Sequence, residues 1–81
     1  MRRKRPEPTD ISALRDRMKS LDNTFSLLWS SYVNRELPKN EKPTYDAVRA
    51  AAQDFVNANH AYQLARYGRV LVRLSVAKLM R

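Results

Sequence analysis

With 81 residues, a net charge of +8 and a pI near 10.5, this chain is long enough for one small, strongly basic domain. It has no cysteine, so disulfides and thiolate metal sites are excluded, and its one histidine, His60, cannot hold a metal alone. Neither a metal nor a cofactor is expected, and the composition favours a partner of opposite charge: nucleic acid, an acidic protein or an anionic surface.

Residues 1–8 hold the cations Arg2, Arg3, Lys4 and Arg5 and two prolines, and are expected to form a flexible basic arm. The run Pro6-Glu7-Pro8 follows the cations where a signal peptide would need an apolar segment, so none is expected. The most apolar window, Val70 to Met80, is interrupted by Arg73 and Lys78 and falls well short of the roughly 20 residues a membrane span needs. The expectation is a soluble, cytoplasmic protein, or a nuclear one if the source is eukaryotic.

Thr9 or Asp10 could cap a first helix, expected over residues 10–36. Apolar residues recur at Ile11, Leu14, Met18, Leu21, Phe25, Leu28 and Tyr32, alternating steps of three and four. That is an unbroken a/d seam, and Leu27, Trp29 and Val33 should widen it near its end. Pro38 and Pro43 bracket a polar loop, residues 37–43. Thr44 should then cap a second helix over residues 44–80, with Asp46 in its favourable first turn.

The second helix continues the three-four pattern through Val48, Ala51, Phe55, Ala58, Tyr62, Ala65, Arg69, Val72, Val76 and Leu79. Its first half is rich in alanine, which lets a neighbouring helix approach closely. Gly68 costs about 1 kcal/mol inside a helix and could mark a kink or break, with a continuous or kinked helix preferred here. A short loop between long helices predicts an antiparallel hairpin, so the fold class is all-α. A second helix running to residue 80 would overhang the first by about 15 Å.

Beyond its inner face, the second helix presents Leu64, Tyr67, Leu71 and Leu74 on another side, expected to be an oligomer interface. A two-fold dimer forming a four-helix bundle is the simplest assembly. The alternative is that this face completes a three-helix core after a break at Gly68.

Residues 55–81 contain no Asp or Glu but carry Arg66, Arg69, Arg73, Lys78 and Arg81. On a continuous helix the three arginines fall within a narrow arc, and the antiparallel hairpin would set them beside the N-terminal arm. The nine cations named so far are the candidate phosphate-binding residues, although arginines near a helix end are also favoured by its dipole alone. No helix-turn-helix, RNA-recognition or zinc-finger pattern accompanies them, so DNA or RNA would be held without base reading. The competing expectation is a protein-interaction adaptor, regulator or assembly subunit that binds no nucleic acid.

Residues 13–22, Ala-Leu-Arg-Asp-Arg-Met-Lys-Ser-Leu-Asp, resemble the first-helix motif of the small all-helical chorismate mutases, which implies that Arg15 would meet a substrate carboxylate. The resemblance covers about 20 residues. The next cation of that pattern falls on Tyr32 here, and the third long helix has no counterpart. No nucleophile–base set or glycine-rich phosphate loop is present, and no enzyme is expected.

Overall fold

The computed structural model describes residues 7–81. Helix α1 spans Glu7–Val33, one 3₁₀ turn spans Lys39–Glu41, α2 spans Tyr45–Tyr67, and a short α3 spans Val76–Leu79. α1 and α2 pack along each other as an all-α hairpin, and the chain bends back after Gly68. No helix among the described residues is long and apolar enough to cross a membrane.

Both ends of α1 lie about three residues earlier than the periodicity places them. Thr9 and Asp10 therefore stand inside the helix rather than capping it. Pro8 fits there because a first-turn residue needs no backbone N–H. At the other end Asn34 ends the helix. Its side-chain Oδ1 accepts the Glu36 N–H at 2.9 Å, and its carbonyl accepts the Leu37 N–H at 3.4 Å.

Every residue of the α1 seam from Ile11 to Tyr32 is buried or half-buried. Phe25 lies with Val48, Ala51 and Ala52 in the core, where the alanines leave room for its ring. Trp29 packs against this cluster as expected, whereas Leu27 is 70% exposed and Val33 49%, so neither widens the seam. An aromatic ladder runs toward the loop: Phe25–Trp29 at 6.2 Å, Trp29–Tyr32 at 5.9 Å and Tyr32–Tyr45 at 6.2 Å between ring centroids. On α2, Thr44 caps as expected, its hydroxyl accepting the Ala47 N–H at 3.1 Å.

Three pairings give the register. Met18 meets Asn59, Phe25 meets Ala52 and Tyr32 meets Tyr45, each pair summing to 77. On that register Tyr67, the last residue of α2, lies level with residue 10, in the first turn of α1. A helix continued past Tyr67 would run beyond its support.

The structure corrects the expected second helix over residues 44–80. α2 stops at Tyr67, and Gly68 takes the left-handed conformation, φ 79° and ψ −1°, with its N–H bonded to the Leu64 carbonyl at 2.9 Å. The segment then reverses, and Val76, Leu79 and Met80 pack on the Phe25–Val48–Ala52 core. No 15 Å overhang exists: of the apolar residues that would have been stranded in water, Val76, Leu79 and Met80 are folded onto the molecule's own hairpin, while Leu71 and Val72 stay exposed.

Gly68→Ala should destabilise the chain by about 1–2 kcal/mol, because an L side chain disfavours the left-handed conformation. Nothing lies within 4 Å of the added carbon, so the cost is one of backbone conformation rather than a clash. Urea unfolding should show the loss while far-UV ellipticity stays constant. A gain in ellipticity would mean that residues 69–75 had joined α2.

Candidate interaction surface

The reversed segment, the strap, is held by α2 side chains one to two turns before its end. Gln63 is 94% buried, at 6% exposure. Its Oε1 accepts the backbone N–H groups of Leu71 and Val72, both at 2.8 Å. Its Nε2 donates to the Val72 carbonyl at 2.8 Å and to Asn59 Oδ1 at 2.6 Å. Two acceptor positions and two donors are the full capacity of a primary amide, and all four are used. One turn earlier, His60 Nε2 accepts the Leu74 N–H at 3.1 Å.

These contacts follow a second stripe on α2, Ala52, Val56, Asn59 and Gln63, in steps of four, three and four. Its apolar half is buried; in its amide half Gln63 bonds the strap, while Asn59 accepts from Gln63 and donates to Met18 Sδ. Ser75 then caps α3, its hydroxyl accepting the Lys78 N–H at 3.2 Å.

Between α2 and the strap lies a hollow of about 330 Å³, lined by Tyr62, Gln63, Tyr67, Leu71, Val72 and Leu74 among others. Its rim is apolar and open: Tyr67 is 51% exposed, Leu71 54% and Val72 60%, with Leu64 at 53% one turn before Tyr67. Of the four expected interface residues, the structure leaves Leu64, Tyr67 and Leu71 exposed, and half-buries Leu74. Sequence reading missed Val72, which it had assigned to the inner face.

The cations are distributed differently from the expectation. Arg2, Arg3, Lys4 and Arg5 lie outside the described residues. Arg66 closes α2 with its guanidinium 5.6 Å from the Tyr67 ring centroid, a cation–π arrangement. Arg69 and Arg73 are exposed but belong to the strap, so the three arginines form no helical stripe. Lys78 is carried by α3, which packs on the loop half of the hairpin, and Arg81 follows it. The cations of residues 61–81 are thus divided among the end of α2, the strap and the α3 end of the chain rather than gathered at one end. Arg15 is exposed, donates to Ser12 Oγ at 3.1 Å, and is not among the residues lining this hollow.

Comparison of the chain with protein-family models, curated proteins and solved structures finds no match. Function is therefore read from the surface alone.

Gln63→Leu removes the amide that satisfies three strap groups and should cost about 1–3 kcal/mol. Limited trypsin digestion should then cut faster at Arg69 and Arg73. Unchanged cleavage there would mean that the apolar contacts of α3 alone hold the strap.

Proposed function

We propose that this chain is a non-catalytic interaction module that docks an acidic, amphipathic protein segment on the hollow between α2 and the strap. One observation carries this reading: an open apolar hollow is edged by Tyr67, Leu71 and Val72, with the Arg66 guanidinium over the Tyr67 ring and exposed Arg69 and Arg73 on the same strap as Leu71 and Val72. Tyrosine and arginine around a pocket that accepts one large side chain is the make-up of an interface hot spot.

The charge selects the partner. Residues 55–81 contain no acid, so two copies meeting symmetrically through this face would bring six arginines together with nothing on these segments to offset them. A segment with an apolar anchor and flanking carboxylates meets both requirements, and fits this face better than a second copy does.

Phosphate binding to DNA or RNA is the second reading, favoured by the net charge of +8 and by the exposure of Arg69, Arg73, Lys78 and Arg81. It has less support than the focused basic end expected from sequence, since the strap disperses its cations. The two readings differ in what Leu71 does, because phosphate contacts need no apolar hollow.

Anisotropy of a labelled helical peptide built from Leu at one face and Glu elsewhere tests the first reading, with labelled duplex DNA and single-stranded RNA beside it. Leu71→Glu should weaken peptide binding about tenfold or more. Arg69→Glu with Arg73→Glu should weaken it as well, and more than Arg15→Glu with Arg17→Glu. Nucleic acid bound more tightly than the peptide, with a steep fall as salt rises and no response to Leu71→Glu, would establish the second reading instead.

A further inference from the structure

We infer that the docking surface is conditional: protonation of His60 loosens the strap that supplies half of it. This rests on the reading above, since Arg69, Leu71, Val72 and Arg73 belong to the strap while Leu64, Arg66 and Tyr67 belong to α2.

The inference follows from one hydrogen bond. A backbone N–H can be accepted only by an unprotonated ring nitrogen, so the Leu74 contact to His60 Nε2 requires a neutral imidazole with its hydrogen on Nδ1. A proton taken from solvent onto Nε2 turns the acceptor into a donor and sets two N–H groups against each other. The bond is lost and a charge is left in its place.

Nothing nearby welcomes that charge. On α2, residues 56–64 contain no charged side chain, and Tyr62 is the only other titratable one. On the strap, Arg73 adjoins Leu74 and Arg69 lies further along. On α1 the register sets Arg17 opposite His60, with Arg15, Asp16 and Lys19 around it, all exposed and cationic in sum. Among the described residues, the charged groups that sequence and register place nearest the imidazolium are therefore Arg73, Arg15, Arg17, Lys19 and Asp16, cationic in sum.

The sign follows. Docking of residues 69–75 is favoured by the neutral ring and weakens as pH falls through the range in which the imidazole takes up a proton. The three Gln63 bonds and the packing of the half-buried Val76, Leu79 and Met80 remain, so the response is local loosening of the strap rather than unfolding. The surface is complete at neutral pH and loses its strap half in acid.

The test uses the free chain. Amide protection factors of Leu71, Val72 and Leu74 are measured by NMR across that pH range, beside the titration of the His60 ring. Leu74 protection should fall about fivefold on acidification, the size of one lost hydrogen bond, with the midpoint of the ring titration. In His60→Gln, whose amide oxygen still accepts, the pH dependence should vanish. Constant protection while the ring titrates, or the same profile in His60→Gln, would overturn the inference. If His60→Gln fails to fold, the agreement of the two wild-type midpoints decides: separated midpoints overturn it. Binding of the Leu/Glu peptide at neutral pH separates this from the docking reading. A bound peptide with an unresponsive Leu74 overturns the switch alone, and a responsive Leu74 with no peptide bound at any pH overturns the docking surface alone.

Discussion

The Gln63 side chain is buried beneath a segment of chain that has neither helical nor sheet hydrogen bonds of its own. Residues 69–75 carry backbone groups that α2 would have satisfied had it continued, and a buried amide with four partners replaces part of that ladder. The strap's course depends on this substitution. So does the surface, because Leu71 and Val72 stand at the hollow's rim through the same backbone groups that Gln63 holds.

The register of the hairpin explains why the substitution is favoured. Helix 2 is supported only while α1 runs beside it, and support ends level with the first turn of α1. Continuing the helix would add backbone bonds but leave Val70 to Met80 in water. Reversing at Gly68 forgoes those bonds and half-buries Val76, Leu79 and Met80 against the core. At about 25 cal/mol per Å² of apolar surface removed from water, this partial burial offsets helical hydrogen bonds that Gln63, His60 and solvent replace in part.

The same reversal reshapes the electrostatics. An extended second helix would have collected the cations of residues 61–81 at one end, whereas the strap carries Lys78 and Arg81 back along the molecule and leaves Arg66 at the end of α2 and Arg69 and Arg73 on the strap. A surface of that mixed kind discriminates between partners better than a uniform basic end, since charge steers the encounter and the hollow demands a matching side chain.

The sequence by itself determined the hairpin. The three-four seam of α1, the Pro38–Pro43 loop, the Thr44 cap and the alanines facing Phe25 are local or periodic signals, each visible within a few turns of chain. The same signals misdirected the reading after Tyr67, because Val72, Val76 and Leu79 keep a helical period that serves equally well when the chain folds back. Gln63 gave no signal beyond being a polar residue at the end of a stripe that begins apolar, and His60, off that stripe, gave none. Only the tertiary structure decided where α2 stops and what Gln63 and His60 bind. That choice turns on the length of α1 available for packing and on contacts across eight to fourteen residues, which no local pattern encodes.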